Sequence, residues 1–113
     1  MKTVETVRGA VATDQLHSVL MHEHICTSSM GIATHYPQFY VSDYEERIIR
    51  DLNTMKENGI MTVVDATPVC LGRDVRVLKR VSEVTGVNII ATTGWCGGEP
   101  PYVGPTTAEQ WAQ

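Results

Sequence analysis

The 113-residue sequence predicts an α/β protein built on parallel strands. Three observations carry that expectation. Short apolar runs at 19–24, 60–66 and 87–93 alternate with segments of helical periodicity. The helical segments open on capping residues and close on glycine. The apolar runs show little polar alternation, as strands covered on both faces should.

Ahead of this alternation, residues 2–12 read as a short β-hairpin, with Lys2 to Val7 alternating, Arg8-Gly9 turning and Ala10 to Ala12 returning. Asp14 to His17 is a turn, and Val19 to His24 is the first buried strand. Residues 27–41 read as a long loop, mixing Thr27, Ser28, Ser29 and Gly31 with Tyr36, Pro37, Phe39 and Tyr40. Ser42-x-x-Glu45 is a capping-box signature, and Asp43, Glu45 and Glu46 suit the positive end of a helix dipole. Tyr44, Ile48, Leu52 and Met55 then fall on one face, so a helix is expected over 43–58, stopped by Asn58-Gly59.

Ile60 to Ala66 is the second strand, followed by a short loop with Cys70 and Gly72. A second helix is expected over 74–85, with Val77, Leu78, Val81 and Val84 as its buried stripe and Gly86 as its stop. Val87 to Thr93 is the third strand. A Gly/Pro-rich loop follows, and Thr106-x-x-Glu109 opens a further helix. That helix has about two turns before Gln113, too short to hold itself, so the natural chain is expected to continue, or once to have done so. Two architectures fit: a doubly wound open sheet, or the first part of a (β/α)8 barrel. The lack of a GxGxxG or Walker loop after the first strand counts against a nucleotide-binding version.

Composition removes several function classes. The chain is 42% hydrophobic and 19% charged, with a net charge of -4 and a pI near 5.4. Such a balance is neither disordered nor suited to nucleic acid or an anionic membrane. The densest basic group, Arg73, Arg76, Lys79 and Arg80, reads as a solvated helix face. No run approaches the ~18 apolar residues of a membrane span, and the N-terminus lacks a signal peptide's apolar stretch. Cys26, Cys70 and Cys96 form no CxxC pair, which predicts reduced thiols and a cytoplasmic location.

The chemistry-bearing pattern is His22-Glu23-His24. Alternation puts His22 and His24 on one face at the C-terminal end of a strand. There two imidazoles can bind one cation such as zinc, and a barrel carries its active site at that end. The plain alternative is two histidines without a shared task, because a catalytic zinc needs a third protein ligand. Cys26 has the same parity and offers a His-x-His-x-Cys set, unless it already lies in the loop. Asp65 ends the second strand and points to the same rim, either as a ligand or as a carboxylate that organises the loop. Trp95, at the end of the third strand, reads as a wall of an apolar pocket or as packing under the Gly/Pro loop. Cys70 and Cys96 lack a neighbouring base and make poor nucleophiles. His35 reads as solvated and His17 as a turn residue.

The stretches LMHEHICTSS, GIMTVVDATPVCLGRDVRVLKRVSEVTGVNIIATTGW and the trailing PPY resemble the phosphotriesterase family of the amidohydrolase superfamily, whose members include phosphotriesterase-like lactonases and phosphotriesterase-related proteins. The resemblance runs from about Val4 to the end. It implies the N-terminal part of a (β/α)8 barrel, about three of its βα units preceded by the hairpin, so that residues 1–113 form one incomplete domain. It implies two divalent metals, usually zinc, with His22 and His24 matching the strand-1 ligands of the more buried one. It further implies hydrolysis of a lactone, a carboxylic ester or a phosphotriester by a hydroxide bridging the metals. Trp95 would be a pocket wall.

The family's remaining ligands, a carboxylated lysine, two further histidines and an aspartate, come from later strands and are expected to be missing. A full barrel takes typically ~250 residues. The expected partners are therefore a small-molecule ester substrate for the parent enzyme, and a second copy or a complementing chain for this piece, whose two sheet edges would be open. The alternative is a non-catalytic α/β fragment that acts only by association.

Overall fold

The computed structural model describes residues 2–28, 32–39, 42–94 and 108–111. The chain opens with an antiparallel hairpin of β1 (Thr3–Thr6) and β2 (Gly9–Ala12), with Thr6 opposite Gly9. Its two-residue turn is held by the Thr6 hydroxyl, which donates to the Gly9 carbonyl at 2.8 Å and accepts the Arg8 N–H at 3.2 Å.

Three parallel strands make the main sheet, in the order β3-β4-β5: β3 (Ser18–Glu23), β4 (Ile60–Asp65) and β5 (Asn88–Ala91). Parallel neighbours need a long crossover, and each crossover here carries one of the two principal helices. α2 (Tyr44–Glu57) joins β3 to β4, and α3 (Val75–Thr85) joins β4 to β5. Both pack on one side of the sheet. Ile48 and Leu52 of α2, and Val77, Leu78 and Val81 of α3, bury against Val63, Val87 and Ile89.

The N-terminal end of the sheet is tied by a chain of polar contacts. Arg8 Nη2 donates to the Gly86 carbonyl at 3.1 Å and to Asn88 Oδ1 at 2.8 Å. Asn88 Nδ2 donates to Thr62 Oγ1 at 3.3 Å, and that hydroxyl donates to the Leu16 carbonyl at 2.6 Å. Asn88 and Thr62 are buried, and the side chains of both find partners, as burial demands. Val7 N–H also donates to the Ile89 carbonyl at 2.9 Å, fixing the hairpin against β5.

Local expectations need four corrections. Ser42 does not form a capping box: Asp43 is the N-cap of α2, makes no side-chain cap hydrogen bond, and turns its carboxylate to Arg47 at 3.0 Å. Asp74 does cap α3, accepting the N–H groups of Arg76 and Val77. Val84 is 66% exposed, whereas Ser82 and Thr85 are buried. At 100° per residue Val84 lies about 90° from the centre of the buried stripe. The two polar residues tolerate burial because Ser82 Oγ donates to the Val87 carbonyl at 2.6 Å and Thr85 Oγ1 to the Val81 carbonyl at 2.7 Å.

The expected 27–41 loop contains one short helix, α1 (Ile32–His35), and a 3₁₀ turn at Pro37–Phe39. The rings of Tyr36 and Phe39 stack there, 6.0 Å apart. The fourth correction is smaller: a 3₁₀ turn, Val69–Leu71, occupies the loop after β4 and ends at Gly72, φ 90°. Residues 108–111 form α4 (Ala108–Trp111), where a further helix was expected. Thr106, the Gly/Pro loop, Trp95 and Cys96 lie outside the described residues.

Candidate metal site

β3 ends at Glu23, which stands opposite Asp65 of β4 in the sheet register. Asp65 is fully buried. His22 is the penultimate residue of β3 and His24 the first beyond it, after a register irregularity between Leu20 and Glu23. Their rings meet edge-on, with centroids 5.3 Å apart and planes at 68°. Both side chains are exposed. The strand ends beneath them are level: Ala66 N–H donates to the Glu23 carbonyl at 2.8 Å, and Thr92 N–H donates to the Asp65 carbonyl at 3.0 Å.

The two imidazoles differ in support. His24 Nδ1 lies 3.1 Å from Thr67 Oγ1. The Thr67 hydroxyl is fully buried and donates to Asp65 Oδ1 at 2.7 Å. The same Oδ1 accepts the Ile25 N–H at 3.1 Å, while Asp65 Oδ2 is buried with no hydrogen-bond partner among the described residues. Asp65 therefore lies under the rim as a carboxylate that organises the turn after β3. Sequence reading passed over Thr67. Its signal was the Asp65-x-Thr67 spacing at a strand end, which brings two short polar side chains under the same rim.

Cys26 does not join the histidines. It is 2% exposed and sits in the core with Ile48 and Leu52. Burial pushes its thiol above the usual range, against the opposing effect of a hydrogen bond with Tyr44. The parity argument fails because the strand ends at Glu23 and the chain bends at Ile25 and Cys26. Among the described residues, no group of three or more His, Cys, Asp or Glu side chains is placed to hold a metal ion.

The loops behind the site are close-packed. Ser28 N–H donates to the Leu71 carbonyl at 3.0 Å, and Arg73 Nη1 donates to the Thr92 carbonyl at 2.5 Å. The rim of all three strands is thereby tied together by backbone acceptors. Two adjacent imidazoles on such a base suit a borderline cation such as zinc, and they supply half of a usual donor set.

The chain is similar to known proteins over most of its length. The family model described as "Phosphotriesterase family" matches residues 2–112. A phosphotriesterase homology protein of Mycobacterium tuberculosis is 36% identical over 97 residues, covering 83% of this chain and 29% of that protein. An aryldialkylphosphatase of Saccharolobus solfataricus is 31% identical over 88 residues, covering 77% of this chain and 28% of that protein. Among solved structures, a triple mutant of organophosphorus hydrolase from Deinococcus radiodurans superposes with a TM-score of 0.75 at 38% identity, over 83% of this chain and 29% of that one. The chain thus spans less than a third of the length of the relatives it matches.

Proposed function

The chain belongs to the phosphotriesterase family, and from that premise we propose that it supplies the first part of a metal-dependent hydrolase acting on ester bonds. In this reading the parallel sheet is an arc of about three strands of a (β/α)8 barrel, with the catalytic rim at the strands' C-terminal ends. His22 and His24 hold one of two divalent cations, zinc in this assignment. The observation that carries the reading is the T-shaped contact of the two rings, centroids 5.3 Å apart, at the end of β3.

The metal, when bound, supplies activation of water near neutral pH and polarisation of the ester oxygen. The chain's own residues orient and hold. Glu23 locks the strand end through its carbonyl, and Thr67 braces His24. The hairpin and helices keep the sheet from shifting beneath the two rings. A phosphorus-centred ester is the class named in the relatives' descriptions. A lactone or carboxylic ester calls for the same kind of water attack, there on a trigonal carbonyl carbon and not on a tetrahedral phosphorus, and both belong in the test.

Among the described residues no third donor joins His22 and His24, and a half-site of two imidazoles is expected to turn over neither substrate. Zinc titration of the metal-free chain is the decisive measurement. Uptake is expected to be weak, and His22→Ala or His24→Ala should each weaken it by about tenfold or more. Unchanged zinc stoichiometry in the double variant removes the metal assignment. Rapid hydrolysis of a lactone or an aryl phosphotriester by the purified monomer removes the half-site reading.

A further inference from the structure

We propose that Thr67 is a positioning residue that holds His24 in its Nδ1–H tautomer, leaving Nε2 as the nitrogen that takes a cation. The second half of that statement rests on the reading of His24 as a metal ligand. The first half stands on hydrogen-bond accounting alone.

Asp65 Oδ1 accepts the Ile25 N–H at 3.1 Å, so that oxygen is an acceptor. Thr67 Oγ1 lies 2.7 Å from it and carries a single proton. The hydroxyl must spend that proton on Oδ1. Toward His24 Nδ1, 3.1 Å away, Thr67 Oγ1 has only lone pairs left. Nδ1 is therefore the donor, and in a neutral imidazole Nε2 then carries the free lone pair. An isolated histidine has no such constraint.

The rest of the network reinforces the direction. Asp65 and Thr67 are fully buried, so water does not compete for the contact between them. Asp65 Oδ2 has no hydrogen-bond partner among the described residues, so Oδ1 takes every hydrogen bond the carboxylate makes there. Among the described residues His22 has no such hydrogen bond, and the two rings should respond differently to the loss of Thr67. The chain Asp65–Thr67–His24 links the ends of two adjacent parallel strands, so it also fixes where the His24 ring stands relative to β4.

Long-range nitrogen–proton NMR of the imidazoles, on the metal-free 113-residue chain at a pH where His24 is neutral, reads the tautomer directly. The wild type and Thr67→Ser are expected to show Nδ1–H at His24. Thr67→Val should shift His24 toward Nε2–H and weaken zinc binding by about tenfold, with Thr67→Ser close to wild type. An Nε2–H tautomer in the wild type overturns the proposal, whatever becomes of the valine variant's stability. So does a valine variant with unchanged tautomer and zinc affinity. If the wild type shows Nδ1–H but zinc uptake ignores His24, the brace stands and the metal assignment falls. If zinc uptake depends on His24 in the Nε2–H form, the metal assignment stands and the brace falls.

Discussion

Gly72 is the residue on which the rim loops depend most directly. Its φ of 90° lies in the left-handed region. A Cβ added there would fall 2.5 Å from Ser28 Oγ and 2.7 Å from the Ser28 backbone N and O. Both conformation and space thus demand glycine. Gly72→Ala is expected to lower the unfolding free energy by at least ~1–3 kcal/mol, read as a shift in the urea midpoint. The clash is with backbone, so it cannot be relieved by a rotamer change. The same variant should weaken zinc uptake, because Leu71 and Ser28 are hydrogen-bonded beside the strand ends that carry the histidines. Normal stability in Gly72→Ala would mean that the two loops separate freely in solution. Cys26 marks the other limit at this scale: a residue two places beyond His24 is in the core, and proximity in sequence gives it no share in the site.

At the scale of the element, α2 and α3 are joined at their exposed flank by Glu45 and Arg80, whose carboxylate and guanidinium are paired. The Arg80 hydrogen bond holds the Glu45 carboxyl below its usual value, outweighing partial desolvation. A group whose folded pKa is depressed stabilises the fold above its unfolded pKa, and the benefit disappears as pH falls through the folded value. Both side chains are largely in solvent, so the pair is worth only about 0.5 kcal/mol. Glu45→Gln should therefore unfold at slightly lower urea than wild type at pH 7, and the two should converge below about pH 4. A difference that persists unchanged in acid would assign the effect to helix propensity or packing.

The helices also show what the sequence could and could not reveal. α2 spans Tyr44–Glu57 against an expected 43–58, because its apolar spacing and the Asn58-Gly59 stop are local signals. The order of strand and helix was legible for the same reason; the nearness of the His22 and His24 rings is a product of the fold, since β3 ends at Glu23 and its register is irregular between Leu20 and Glu23. Ser42 misled because a capping box competes with other uses of the same residues, and Asp43 found Arg47 one turn on. Val84 misled because a helix stripe has a centre that sequence spacing alone does not locate. Thr67 was invisible as a support for His24 since the two lie 43 positions apart. The Arg8–Asn88 contact, 80 positions apart, was hidden in the same way. Contacts of that span are products of the fold, and only their residue types stand in the sequence.

For the whole molecule, the question is what the two outer strands of the three-stranded sheet do. They are not equivalent. β5 has its Ile89 carbonyl occupied by Val7 N–H, and the hairpin lies against it. β3 pairs only with β4 among the described residues, and Met21 in that strand is 71% exposed. An outer strand of this kind is a template for another strand. We expect self-association through β3, by a second copy or a complementing chain, in preference to β5. Placing a charge on that edge opposes it, so Met21→Lys should raise the dimer dissociation constant by about tenfold, or ~1.4 kcal/mol, in concentration-dependent light scattering. A matching charge on the covered side, Glu5→Lys in β1, should have little effect. Because Met21 is next to His22, strand pairing at β3 would also order the site's outer flank, and zinc should then promote the dimer and lose that effect in Met21→Lys. A wild-type chain that remains monomeric at high concentration, with or without zinc, would rule out β3 as the association edge.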